Sequence, residues 1–180
     1  SVLAEALADA ETVLVVIPSE FCREIYRQAG RLAPAGASFV SATKGLELGS
    51  LQRMTEVAAA EAKGRPLAAL SGPSFALEVA KALPTAVVVA SADHGVAERV
   101  QRVLATGSVR VYSSEDVVGV ELAGALKNVI AIAAGIIDGL GYGHNTEAAL
   151  ITRGLAEISR LAVARGARPD TLAGLAGLGD

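Results

Sequence analysis

The chain has 180 residues, of which 52% are hydrophobic and 19% charged, and it carries a net charge of −3. That is apolar mass enough for a buried core in one ordinary domain or parts of two, and the slight acidity leaves no basic surplus for a nucleic-acid partner. The single cysteine, Cys22, excludes an intrachain disulfide and fits a reducing cytosol, so a cytoplasmic protein is expected.

Residues 1–10 read as a helix end; the segment holds acids and no basic stretch, unlike a secretory signal. Residues 12–19 (TVLVVIPS) are a short β-branched run stopped by Pro18, which predicts a buried strand. Ser19 is expected to cap a helix over 20–32, ended by the Pro34 and Gly36 loop. Strands are predicted over 38–45, 66–72, 85–91 and 109–113. Helices are predicted between them over 51–63, 74–81 and 95–105. Alternating strands and helices, with nearly continuous Val, Ile and Leu in the strands, predict an α/β fold: a partial Rossmann-like parallel sheet covered on both faces.

After Asp116 the pattern changes. Residues 117–140 and 145–164 read as helices, and from Pro169 another helix or loop begins. A domain boundary is therefore expected near Glu115, dividing 1–115 from an all-α domain over 116–180. The longest uninterrupted apolar run, 129–137, is far below the ~20 residues of a membrane helix, so no membrane span is expected.

On the helix over 117–140, Leu122, Leu126, Val129, Ala133, Ile136 and Leu140 recur at helical spacing and predict the core stripe. A second stripe, Gly124, Lys127, Ala131 and Ala134, sets one long polar group among small residues, with room for a ligand. Asn128 follows the lysine, and Glu121 is placed two turns back on the same side. In the plain reading Lys127 snorkels to solvent. In the sharper one, burial and a second lysine lower its pKa from ~10.4 and fit it for proton transfer.

Lys44 sits at the end of the second strand, where open α/β sheets bind ligands. Gly72, Pro73 and Ser74 break the third strand into a turn before a helix. That start can receive an anion or cofactor amide, or is an ordinary turn capped by Ser74. GLGYGHN (139–145) follows a helix and reads as an interhelix loop. His94 and His144 are isolated loop histidines, and no cluster has metal-ligand spacing, so no metal is expected.

Four segments, IPSEF, SATKGLE, SGPSFALEVAKALPTAVVVAS and VELAGALKNVIAIAAGIIDGLGYGHNTEAALITRG, with GLAGLGD at the end, occur in one order. Together they resemble the NAD(P)-dependent glycerol-3-phosphate dehydrogenases of the bacterial type. The resemblance implies NAD or NADP as cofactor. It implies dihydroxyacetone phosphate and sn-glycerol 3-phosphate as the small-molecule substrate pair, a precursor step to glycerolipids, and it admits a homodimer. It assigns Lys127 the general acid/base role. It makes Lys44, Gly72, Ser74, Asn128 and Asp180 substrate contacts with Lys127, and Phe21, Lys44 and Ala76 cofactor contacts. The family opens with a strand and a GxGxxG turn that this chain starts after, and it uses an Arg-Asn segment beyond Asp180. The 180 residues alone are therefore expected to bind nucleotide weakly and turn over little. The alternatives are a related lysine-dependent 3-hydroxy acid dehydrogenase and a non-catalytic helical assembly fragment.

Overall fold

A computed structural model describes residues 2–180; Ser1, in the expected N-terminal helix end, lies outside them. The chain runs α1 (Val2–Leu7), β1 (Thr12–Val15), α2 (Ser19–Leu32), β2 (Ser38–Ser41), α3 (Met54–Glu61), β3 (Leu67–Ser71) and α4 (Ala76–Ala80). It continues through β4 (Thr85–Ala90), α5 (His94–Leu104), β5 (Val109–Ser114), α6 (Val117–Gly139), α7 (Gly143–Ala164) and α8 (Pro169–Leu172). The strands form one five-stranded sheet in sequence order.

β2 is buried along its whole length. Successive side chains leave a strand on opposite faces, so Phe39 packs with Tyr26 and Cys22 of α2 and Met54 and Val57 of α3. Val40 packs on the other face, with Val87, Val89 and Val111 and with Val96 and Val100 of α5. The helices thus cover both faces, as near-continuous apolar strands require.

The sheet is not wholly parallel. β1, β2 and β3 pair in parallel, as do β4 and β5, but β3 and β4 are antiparallel. A parallel return needs a crossover element packed on the sheet. α4 has only 5 residues, none of them buried, so it stands off the sheet and the chain doubles back.

Five residues near element boundaries also depart from expectation. Ser19 begins α2 inside the helix, with Pro18 as its cap and no side-chain cap bond. Ser74 does not cap α4; its hydroxyl donates to the Gly72 carbonyl at 3.2 Å. Leu51, expected to be helical, has φ +57, and α3 begins only at Met54. His94 opens α5 and His144 lies in the first turn of α7, so neither is a loop residue.

α6 enters across the sheet's end. Val120, Leu122 and Ala123 are buried against Ala69, Ala90, Ala162 and Leu172. Of the rest of the expected core stripe, Leu126 is partly buried against this cluster and Ala133 is half-buried, but Val129, Ile136 and Leu140 are exposed, as is Ile132. Periodicity shows which side of a helix is apolar but not what lies against it. By length and composition α6 is the one described helix that could cross a membrane, which counting only the unbroken run 129–137 had missed. Its N-terminal half packs on β3 and β4, and α7 and α8 pack beside it.

Candidate active site

The site forms where α6 passes the carboxyl end of β3. An added Cβ on Gly124 would lie 2.6 Å from Ser71 Oγ and 3.9 Å from Lys44 Cγ. Only glycine lets the helix approach this closely. The turn after β2 is held by the Thr43 hydroxyl, which donates to the Ile17 carbonyl at 2.8 Å, tying the ends of β1 and β2 together. Lys44 projects from that turn.

The structure brings Lys44, Lys127 and Asp180 together. Asp180 accepts a charged hydrogen bond from Lys44 Nζ on one carboxylate oxygen. Lys127 Nζ lies 3.0 Å from the other and 3.4 Å from the Asp180 backbone oxygen. The Asp180 side chain is 3% exposed and that of Lys127 17%, so Lys127 does not snorkel to solvent. Burial pushes the Lys44 ammonium below its ordinary value. The Asp180 carboxylate opposes that shift and the nearby Lys127 charge adds to it. Such a carboxylate between two ammonium groups orients both and leaves each a proton to exchange.

Beside the pair lies a cavity of about 180 Å³ between α6, α7 and α8, lined by Lys127, Ala131, Ala134, Ile151, Leu155 and Asp180 among others. The small-residue stripe therefore does open a space next to the lysine. Asp180 reaches it because the turn after α8 folds tightly: Leu178 N donates to the Leu172 carbonyl at 3.0 Å. Asp116 steadies the base of α6, accepting from Gly119 N at 2.9 Å and from Arg168 N, just before α8, at 2.8 Å.

The other predicted positions do not bond to this centre among the described residues. Gly72 has φ +133, and a Cβ there would meet Val87 Cα at 3.0 Å, which explains glycine on backbone grounds. Ser74 and Ala76 lie on the exposed segment around α4, Asn128 is exposed on α6, and the Phe21 ring is 56% exposed in the first turn of α2. Among the described residues no hydrogen bond or ion pair joins these side chains to the lysines. No group of three or more His, Cys, Asp or Glu that could hold a metal occurs among the described residues.

Glu121 is not beside Lys127. Six residues back is about 240° round a helix, and its carboxylate instead accepts from Thr55 N at 2.8 Å, Thr55 Oγ1 at 2.5 Å and Arg53 Nη1 at 2.7 Å. Sequence reasoning missed Arg53 and Thr55; their signal, a threonine in a helix's first turn, is common and does not point to a distant acid. It also missed Arg23, which donates to Glu47 at 2.7 and 2.8 Å, to Glu61 at 2.6 Å and to Gln52 at 2.8 Å.

Residues 1–97 match the family described as NAD-dependent glycerol-3-phosphate dehydrogenase N-terminus, and residues 116–180 match its C-terminus. The chain is 54% identical to a glycerol-3-phosphate dehydrogenase [NAD(P)+] of Geobacter sulfurreducens, over 99% of this chain and 54% of the relative. It is 55% identical to that of Rhodospirillum rubrum, over 99% of this chain and 51% of the relative. The crystal structure of a glycerol-3-phosphate dehydrogenase from Coxiella burnetii superposes with a TM-score of 0.93 at 44% identity, covering 99% of this chain and 55% of that one. The chain thus spans about half the length of the curated relatives it matches.

Proposed function

Because this chain belongs to the NAD-dependent glycerol-3-phosphate dehydrogenase family, we propose that it forms the catalytic middle of an enzyme interconverting dihydroxyacetone phosphate and sn-glycerol 3-phosphate. Its product feeds glycerolipid synthesis. The observation that carries the reading is the joining of Lys127 and Lys44 through the buried Asp180 carboxylate, beside a cavity.

The residues fit the nicotinamide end of NAD or NADP. The exposed Phe21 ring stands past the carboxyl end of β1, and the buried Ser71 hydroxyl, beside α6, has no protein partner. Phe21, Lys44 and Ala76 would hold that end, and the cofactor, when bound, supplies the hydride exchanged at C2. The chain's own residues manage the proton. Lys127 Nζ, oriented by Asp180, gives a proton to the C2 oxygen on reduction and takes it back on oxidation. Lys44 adds positive charge beside that oxygen as negative charge develops on it. Gly72, Ser74, Asn128 and Asp180 contact the substrate.

The division into a nucleotide-binding part, 1–115, and a helical substrate part, 116–180, is supported by the end of β5 at Ser114 and the start of α6 at Val117. The exposed stripe Val129, Ile132, Ile136 and Leu140 supports a packing partner on α6, which a homodimer would supply. The partly buried α6 is read as a core helix rather than a membrane span. The unpaired, buried Cys22 suits the cytoplasm, and the net acidity argues against nucleic acid.

The test is Lys127→Met in the full-length enzyme. Turnover of dihydroxyacetone phosphate should fall by roughly 10²–10⁴-fold, with nucleotide affinity by calorimetry nearly unchanged. Undiminished turnover would remove the assigned role.

A further inference from the structure

Glu121 has no place in the chemistry just described, yet its carboxylate is 7% exposed and saturated with donors. It bonds to the first turn of α3, satisfying the Thr55 amide, one of the donors a helix start leaves free. Burial raises its pKa, and the Thr55 and Arg53 contacts oppose that rise. A buried acid–base pair often adds little stability over a well-packed apolar pair, and in some proteins it instead fixes one arrangement over others.

What it fixes follows from the chain path. Arg53 ends the same loop that begins at Lys44, and Thr55 follows in the first turn of α3. That loop is braced internally: Leu46 bridges Arg53, Glu47 N donates to the Gln52 carbonyl at 2.9 Å and Leu51 N to the Glu47 carbonyl at 3.0 Å. Arg23 grips Glu47 and Gln52 from α2. One end of this brace carries Lys44 and the other holds α6 by Glu121. Gly124 sets how near α6 comes to β3. Contact at a glycine does not by itself fix a helix's rotation, and the three bonds to Glu121 add a directional hold to the apolar packing of Val120, Leu122 and Ala123. Lys127 lies six residues further on, about 9 Å along the axis, at the end of a long side chain that magnifies any rotation.

We infer that Glu121 is a positioning residue: through Thr55 and Arg53 it sets α6 against the Lys44 loop and so keeps Lys127 Nζ beside Asp180. The inference rests on the functional reading above for its catalytic consequence, but its geometric content stands apart from it.

The experiment uses the full-length protein with Thr55→Val, Thr55→Ser and Arg53→Met, assayed for kcat and KM and crystallised. A misplacement near 1 Å at the reacting atoms costs on the order of 10²-fold. Thr55→Val is therefore expected to lose about that factor in kcat, with the KM for nucleotide held and cooperative unfolding retained, and Thr55→Ser to recover most of it. If Thr55→Val does not fold, Arg53→Met carries the same test. Wild-type kcat in folded Thr55→Val or Arg53→Met overturns the inference. Should the unmodified protein turn over no triose phosphate, the functional reading is what fails. The crystal structures then decide the positioning: Lys127 keeping its ion pair with Asp180 in the variants overturns it, and a displaced lysine upholds it.

Discussion

The contact between Gly124 and Ser71 makes a sharp prediction because its sign reverses with one atom. In Gly124→Ala the new Cβ would fall 2.6 Å from Ser71 Oγ, a separation side chains do not tolerate, but 3.6 Å from Ser71 Cβ, an ordinary contact. Overpacking of this kind costs about 1–3 kcal/mol. Alanine in a helix interior returns about 0.5–1 kcal/mol over glycine. The single variant should therefore be destabilised by about 1–2 kcal/mol, a melting-temperature loss of roughly 2–8 °C at 2–4 °C per kcal/mol for this size of chain. Removing the hydroxyl with Ser71→Ala strands no partner, because Ser71 Oγ has none in the protein. In that background Gly124→Ala should stabilise by about 0.5–1 kcal/mol. The coupling between the two sites is then about 1.5–3 kcal/mol. Urea and thermal denaturation of the four proteins, followed by circular dichroism, measure it. Equal effects of Gly124→Ala in both backgrounds would refute the close approach of α6 to β3.

Two further outcomes concern the rest of the site. Contact with Arg23 holds the Glu47 carboxyl down to about 2 from 4.5. A depressed carboxylate contributes stability that is present above its unfolded pKa and lost as pH falls through its folded one. Acid denaturation between pH 4.5 and about 2 should thus include this pair, and Arg23→Met should flatten that limb by on the order of 1 kcal/mol. An unchanged acid limb would count against the clamp. In Gly177→Ala the Cβ would meet the Leu172 carbonyl oxygen at 2.0 Å and its carbon at 2.7 Å. Backbone cannot swing aside, so a loss of about 3 kcal/mol is expected by chemical denaturation; an unchanged melting temperature would contradict the tight turn that carries Asp180.

Much of the architecture was legible in local pattern. Short apolar runs bounded by turn residues predict all five strands, and the change of period after Asp116 predicts the helices that follow. What local pattern does not carry is the direction of return after a strand. The α4 segment has enough helix formers to suggest a crossover, but Phe75, Leu77 and Leu83 find no face of the sheet and stay exposed. Ser19 and Ser74 have the chemistry of caps, and one-residue shifts in the helix starts deny them that use. At the site, Lys44, Lys127 and Asp180 were named together by family resemblance, since nothing in the spacing of three such distant residues requires them to meet. The partners of Glu121 escaped notice for the same reason: a helix says which residues share a face, and a contact between elements depends on how two bodies dock.

Lys44 and Asp180 are 136 residues apart in sequence, and the bond between them closes a ring that contains three of the five strands and every helix from α3 onward. Long rings are entropically slow to close, and rates of folding fall as contacts become less local. The charged centre is therefore expected to form late in folding. On that expectation the sheet precedes the sharing of one counterion by the two ammonium groups, and the electrostatics of the site would report on completed assembly rather than help to nucleate it.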